Sequence, residues 1–239
     1  MAQCIMLKMT DIHADDTRSV LASIPLFNGL DETQLAWIAQ RAHRRLFPTG
    51  THIVTAEQPG EAVYIILAGT VKIHIEQTDG RDVVLAIIGA GDTLGEMSLL
   101  DSAGHSASAV TLEDSLLLWM DKAAFQQILI TFPPVALNLV RIMSSRLRLN
   151  NELIQALATL DVYGRVARQL LAFAEKYGEN GVGLIPIHLT QGEIADLVGA
   201  SRKRVNQVMV FFREQEFISI NASGKIVVLD RDALAKYCR

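Results

Sequence analysis

Only two of the 239 residues are cysteine, and they stand at opposite ends of the chain, Cys4 and Cys238. Thiols so placed supply neither a disulfide framework nor the clustered ligands of a zinc or iron–sulfur centre, so a reducing cytoplasm is the expected home. Long apolar runs are missing too. The longest, near Ala62 to Val71, falls well short of the ~20 residues a bilayer-spanning helix needs. Met1 to Asp16 carries a lone Lys8, little apolar sequence and early acids, unlike a secretory leader, and no membrane partner is expected. The 6 histidines are scattered without ligand spacing, so no metal site is expected. No Walker loop, G-x-S-x-G or H-E-x-x-H occurs. Gly89, Gly91 and Gly95 miss the dinucleotide fingerprint because the last spacing is one residue too long. No catalytic residue is nominated, and an enzyme is not expected.

What is present is a globular composition, 50% apolar and 20% charged, in a chain long enough for two domains of ordinary size. The net charge of −4 conceals a segregation. Residues 161–239 hold 11 Lys and Arg against 9 Asp and Glu, leaving 11 against 17 in residues 1–160. Between Ser201 and Arg213 stand Arg202, Lys203, Arg204 and Arg213 without a carboxylate. A local cationic patch of this kind, rather than net charge, is what phosphate contact requires.

Helical spacing runs from Ser19 to Arg45, with Asp31 as a helix cap before Glu32-Thr33-Gln34. From His52 to about Met120 the pattern becomes β-rich and glycine-punctuated, with runs Ala62–Leu67, Gly69–Glu76, Val83–Ile88 and Ser115–Met120. Val71, Ile73 and Ile75 alternate with Lys72, His74 and Glu76, which predicts one wet strand face and makes His74 plain surface. Thr78-Asp79-Gly80-Arg81 supplies a hairpin turn. This region is expected to form an antiparallel roll or barrel. After Pro133-Pro134 a helical pattern continues to about Leu160, some 38 Å at ~1.5 Å per residue. Leu139, Met143, Arg146, Asn150, Leu153, Leu157 and Leu160 fall on a coiled-coil-like seam, which favours dimerisation over an amphipathic helix lying on its own domain. Arg146 and Asn150 in that seam, with Asn151 beside them, would either specify dimer register or face a polar ligand. Val162–Tyr177 is helical, Gly178–Gly183 a loop, and Leu184–His188 strand-like. The expected division is residues 1–133 as a sensing domain, 134–160 as a dimerisation helix, and 161–239 as a third unit, with its boundary near Leu160–Asp161.

Thr190-Gln191-Gly192-Glu193 fits a capping box, which starts a helix at Gln191. Its apolar set Ile194, Ala195, Leu197 and Val198 ends at Gly199, and Ser201 caps a second helix. Two short helices about a glycine turn make a helix-turn-helix. On the second, Val205, Val208, Met209 and Phe212 share a buried face, while Ser201, Arg202, Lys203, Asn206 and Gln207 occupy the outer side. Arg, Lys, Asn and Gln are the side chains that read base edges in the major groove of double-stranded DNA. Ile218–Leu229, turning at Ser223-Gly224, is expected to be a hairpin wing.

At this point the chain resembles the cyclic-AMP receptor protein / fumarate-nitrate regulator (CRP/FNR) family, from about Ser19 onward. The pieces that carry the resemblance are Gly91–Leu100 (GDTLGEMSLL), the hinge stretch Leu160–Arg165 (LDVYGR), and Leu197–Arg202 (LVGASR). The resemblance implies an α+β fold: an N-terminal antiparallel β-roll of the cyclic-nucleotide-binding type (a double-stranded β-helix), a long dimerisation helix, and a C-terminal winged helix-turn-helix. It implies a homodimer that binds palindromic promoter DNA and modulates RNA polymerase in response to a small-molecule effector. By the same resemblance the effector contacts are Gly95, Glu96, Met97, Ser98, His105, Ser106, Arg146, Asn150 and Asn151. The DNA contacts are Thr190, Gln191, Ser201, Arg202, Lys203, Arg204, Asn206 and Gln207. No cofactor is fixed; cyclic AMP or another nucleotide is the candidate effector. The chain departs from the cyclic-AMP-binding pattern where His105-Ser106 replaces an Arg-Ser or Arg-Thr pair, since histidine lacks the permanent charge and the fork of arginine. The expected mechanism has an effector bridging Glu96 and His105 to Asn150 and Asn151. Two alternatives stay open: a cyclic-nucleotide module acting on a protein partner, and a regulator sensing a non-nucleotide effector.

Overall fold

The computed structural model describes residues 14–78, 82–101, 103–178 and 183–238. Cys4, most of the Met1–Asp16 stretch, Asp79-Gly80-Arg81 of the expected hairpin turn, and 179–182 of the expected loop lie outside the described residues.

The chain opens with helix α1 (Ala14–Ser23), a short 3-10 turn at Pro25–Phe27, and helix α2 (Glu32–Ala39). The carboxylate of Asp31 accepts from the Gln34 amide while the Gln34 side chain accepts from the Asp31 amide, a reciprocal cap that fixes where α2 begins. The helical spacing read through Arg45 stops earlier than expected. His43–Phe47 is strand β1, because Arg44 and Arg45 pair with Leu118 and Leu117 of a strand far along the chain.

Eight antiparallel strands follow: β1, β2 (His52–Val54), β3 (Ala62–Ala68), β4 (Val71–Glu76), β5 (Asp82–Ile88), β6 (Thr93–Leu94), β7 (Ser108–Thr111) and β8 (Ser115–Asp121). They form two four-stranded sheets, ordered β1-β8-β3-β6 and β2-β7-β4-β5. Between the sheets lie Phe47, Ile66, Val71, Ile88, Leu94, Ala109 and Leu117. The neighbours of two of these, Ile65 and Leu118, point the other way, into a cluster with Leu21, Phe27, Ile38, Phe125 and Leu139 from the surrounding helices. A sheet buried on both faces explains why β3 reads as a continuous apolar run rather than an alternation.

The expected wet face of β4 is corrected. A register shift between Ile73 and His74 marks an irregularity opposite Ala86 and Val84. The extra residue there, Leu85, belongs to β5, so β4 itself keeps its alternation. His74 is nonetheless buried, at 5% exposure, rather than plain surface, with the Asp82 carboxylate 3.7 Å from its Nε2 and the His52 ring 6.2 Å away.

Short helix α3 (Glu96–Leu100) interrupts the roll between β6 and β7. Helix α4 (Lys122–Thr131) then meets α5 (Pro133–Thr159) at a bend of 107°. Pro133 can stand at the first turn of α5 but could not continue α4. Buried Asn138 anchors α5 by donating its amide to the carbonyls of Leu26 and Asn28. The seam expected on α5 divides. Leu139 and Met143 pack on the helix's own roll, while Leu137, Val140, Leu147, Ile154 and Leu157 are exposed.

Leu160 is extended, and Asp161 caps α6 (Val162–Tyr177) by accepting from the Gly164 amide. The remainder is α7 (Gln191–Val198), α8 (Arg202–Glu214), the hairpin β9 (Ile218–Ile220) and β10 (Ile226–Val228), and α9 (Arg231–Lys236). Leu184–His188 contributes a single bridge, Leu184 to Val227, rather than a strand. Gly164 is enclosed: a Cβ there would stand 2.5 Å from the Tyr237 carbonyl oxygen. Val84 and Ile87 of β5 are buried in the same cluster as Val166, Leu170, Ile187 and Ile194. The roll and the helix-turn-helix therefore share apolar contact. Among the described residues no single helix is long and apolar enough to cross a membrane.

Candidate functional site

The turn from β6 into α3 places Gly95 at φ +85°, and a Cβ there would meet the Ala62 carbonyl oxygen at 2.7 Å. Glycine is required at this position on both counts. The next residue, Glu96, is only 2% exposed. Its Oε1 accepts from Arg146 Nη1 of α5 at 2.7 Å, while its Oε2 is buried with no partner. Arg146 Nη2 also donates to the backbone carbonyl of Thr93, at 2.5 Å, and to its hydroxyl at 3.2 Å. One guanidinium thus ties the long helix to both ends of the β6–α3 turn.

Ser98, buried in α3, donates its hydroxyl to the Gly95 carbonyl at 2.9 Å and lies 3.1 Å from His105 Nδ1. Burial pushes the His105 pKa down, only partly opposed by the Glu96 carboxylate. The imidazole is therefore neutral near pH 7. Ser106 and Met97 are exposed and touch each other, hydroxyl to sulfur, at 3.9 Å. Of the nine effector-site residues read from sequence, the structure gathers Gly95, Glu96, Ser98, His105 and Arg146 through direct contacts. Asn150 and Asn151 are exposed on α5, one to two turns beyond Arg146.

Sequence reasoning missed the residue next to Thr93. Asp92, 9% exposed, accepts from Lys176 Nζ at 2.7 and 3.0 Å and from the Tyr177 hydroxyl at 2.5 Å. The Gly89 amide completes this clasp, donating to Asp92 Oδ2 and to the Tyr177 oxygen, each at 3.2 Å. Burial, and then the Asp92 charge, raise the Tyr177 pKa, so the phenol keeps its proton. A short path thus runs from Glu96 through Arg146, Thr93 and Asp92 to the last turn of α6. Asp92 lies in the Gly91–Leu100 stretch that carries the resemblance, but nothing there marks its partners 84 and 85 residues further on.

In the C-terminal unit, Thr190 accepts from the Glu193 amide and Glu193 from the Thr190 amide, forming the expected capping box. Gly199 at φ +62° ends α7, and Ser201 caps α8 by accepting from the Arg204 amide. Val205, Val208, Met209 and Phe212 are buried, whereas Ser201, Arg202, Lys203, Arg204, Asn206 and Gln207 are exposed. Gln191 holds Asn206 at 2.9 Å, and Arg204 donates to Gln207 at 3.2 Å while its guanidinium sits 5.5 Å above the Tyr163 ring. Thr190, exposed, and Gln191, partly so, adjoin this face.

The cyclic nucleotide-binding domain family matches residues 44–132, and the Crp-like helix-turn-helix domain family matches residues 164–237. A "CRP-like cAMP-activated global transcriptional regulator" of Mycobacterium tuberculosis is 34% identical over 222 residues, 92% of this chain and 99% of that protein. The chain belongs to the CRP/FNR family of transcription regulators. Other members of the family bear this out. A "Cyclic AMP receptor protein" of Thermus thermophilus is 32% identical over 82% of this regulator and 88% of its own length. The solved Thermus thermophilus catabolite activator protein is 30% identical, covers 90% of this chain and 98% of its own, and superposes with a TM-score of 0.51. FixK2 from Bradyrhizobium japonicum superposes at 0.75 over 83% of the chain and 98% of its own at 20% identity, a likeness of fold. The CRP/FNR regulator is α+β, with antiparallel roll, long helix and winged helix-turn-helix in the expected order.

Proposed function

We propose that this chain is an effector-responsive regulator that acts in the cytoplasm, binds palindromic promoter DNA as a homodimer and modulates RNA polymerase. One observation carries the reading: α8 buries Val205, Val208, Met209 and Phe212 and leaves Arg202, Lys203, Arg204, Asn206 and Gln207 exposed on a helix whose start is fixed by the Ser201 cap. That is a surface of donors and cations suited to base edges and phosphates in a major groove. The exposed apolar residues Leu137, Val140, Leu147, Ile154 and Leu157 of α5 support pairing with a second copy. The proposed division is roll to residue 133, helix 134–160, and DNA-reading unit 161–239. The relatives' printed names, cAMP-activated and cyclic AMP receptor, support a nucleotide-like effector held around Glu96. The coupling route favoured by the geometry runs through Arg146, Thr93 and Asp92 to Lys176 and Tyr177, rather than through Asn150 and Asn151 to the hinge.

Fluorescence anisotropy with selected duplexes tests the reading. Binding is expected to weaken by orders of magnitude between 50 and 200 mM salt, the signature of phosphate contacts. Arg202→Ala should lose ~1–3 kcal/mol of discrimination at one base pair. Leu147→Glu with Ile154→Glu should give a monomer by light scattering and abolish tight binding. A protein that ignores duplexes at low salt, or stays dimeric after both changes, would contradict it.

A further inference from the structure

A recognition helix reads only those base edges that complement its own donors and acceptors. On α8 the stretch Ser201–Arg213 has no carboxylate, which leaves the Ser201 hydroxyl and the carbonyls of Asn206 and Gln207 as the side-chain acceptors of its exposed side. All three are already engaged. Ser201 accepts from the Arg204 amide, Asn206 Oδ1 from Gln191 Nε2 at 2.9 Å, and Gln207 Oε1 from Arg204 Nη1 at 3.2 Å. The last contact has only one possible sense. A guanidinium has donors and no acceptor, so it must meet the oxygen end of the Gln207 amide and leave the NH2 end turned away from it. Arg204 is itself held, its guanidinium 5.5 Å from the centre of the Tyr163 ring in the first turn of α6, a cation–π contact. Arg202 and Lys203, by contrast, are exposed and make no hydrogen bond or ion pair among the described residues.

Glutamine reads adenine through both ends of its amide, the oxygen accepting from N6 while the NH2 donates to N7. With the oxygen drawn back to Arg204, only the donor end is left for the groove. Guanine sets two acceptors side by side, O6 and N7, whereas adenine sets a donor beside its one acceptor. We propose that Arg204 is a positioning residue rather than a base reader: braced against Tyr163, it turns Gln207 so that α8 meets the major groove with donors alone, and the half-site carries guanine, not adenine, at the base pair Gln207 faces. This rests on the reading above, in which α8 enters the groove, and names the base pattern that the helix takes there.

Selection from duplexes with randomised palindromic half-sites tests it, using the full chain with and without 3′,5′-cyclic AMP and GMP, followed by fluorescence anisotropy at low salt. Gln207→Ala should identify the base pair concerned as the position whose preference flattens. There the wild type is expected to bind guanine about fivefold or more tighter than adenine. Arg204→Met keeps the aliphatic stem and frees the glutamine oxygen, so at that pair alone the preference should move about tenfold toward adenine. The double variant Arg204→Met with Gln207→Ala should show no such move, and thermal melting confirms that each variant is folded. A wild type that prefers adenine at that pair would overturn the proposal alone. So would a Gln207→Ala protein with every preference intact, or an Arg204→Met protein that weakens on all duplexes alike with a shallower salt dependence, the behaviour of a lost phosphate contact. Absence of salt-sensitive duplex binding in every condition would overturn the DNA-reading function along with it.

Discussion

Replacing Asp92 by asparagine isolates the clasp between the roll and the DNA-reading unit with almost no change of shape. Asp92 accepts two contacts from Lys176, one from Tyr177 and one from the Gly89 amide. Asparagine keeps one carbonyl oxygen and turns an amide group, a donor, toward an ammonium and a phenol that both need acceptors. A hydrogen bond to a charged group contributes about 1.5–3 kcal/mol net. The Lys176 side chain is 38% exposed and recovers water when released, which removes most of its share. The buried Tyr177 hydroxyl has no such recourse. The expected loss is then about 1–2 kcal/mol, near tenfold in the equilibrium for opening the interface. Two amides report that opening directly, since Gly89 donates to Asp92 and Tyr177 while His188 donates to the Thr70 hydroxyl at 2.9 Å. Native-state hydrogen exchange should show both amides accelerating about tenfold in Asp92→Asn. The Phe132 amide, bonded to Ile128 within the roll's own helices, should be unchanged. Acceleration at Gly89 with His188 unmoved would mean that Asp92 organises only its own turn, and would refute the clasp.

Two further outcomes are expected. The pKa values of both His74 and His105 are lowered, by burial first and foremost, with Lys72 and His52 adding to the effect at His74 while Asp82 and Glu96 oppose it at the two sites. The unfolded chain therefore takes protons first as pH falls past about 6.5, so this part of the stability is held above that pH and lost below it. The urea midpoint should be lower at pH 5.5 than at pH 8, and equal midpoints would contradict the burial of both rings. Gly95→Ala imposes a side chain at φ +85° and a 2.7 Å approach to the Ala62 carbonyl oxygen. A loss of about 2–3 kcal/mol is expected, some 5–10 °C in melting temperature for a chain of this size, and an unchanged melting curve would show that the turn can open freely.

The helix-turn-helix was legible because its signals are local. Thr190, Glu193, Gly199 and Ser201 act within three or four residues of themselves, and each does in the structure what its type and spacing predict. The roll was legible as β-rich sequence but not in what covers its faces. Nothing in Val71–Glu76 announces that His74 is buried, since its alternation is regular and the side chains that cover it, His52 and Asp82, come from the neighbouring strands β2 and β5. β1 was hidden for a related reason: Arg44 and Arg45 continue a helical spacing, and their strand exists because β8, some seventy residues later, offers an open edge. The Asp92 clasp joins residues 84 and 85 positions apart, a distance over which a single aspartate leaves no pattern. The split seam of α5 was invisible because two apolar faces, one packed on the roll and one exposed, overlap at the same helical period.

The adjacency of Thr93 and Asp92 bears on how strong any switch in this molecule can be. Arg146 grips Thr93 on one side, and Lys176 and Tyr177 grip Asp92 on the other, so on the proposed coupling route a ligand that redirects Glu96 would reach α6 through this dipeptide. The differential free energy such a route carries is limited to one or two charged hydrogen bonds, about 1.5–3 kcal/mol each. Moving a population from 1:99 to 99:1 takes about 5.5 kcal/mol, near the upper end of that range. For the homodimer proposed above, a graded response would therefore be the behaviour of one subunit, and an all-or-none response would require that both subunits contribute their clasps together. On the proposed reading, linkage makes bound DNA change the affinity for the effector by the same factor by which the effector changes the affinity for DNA, so a pair with both clasps weakened would lose the coupling in both directions at once.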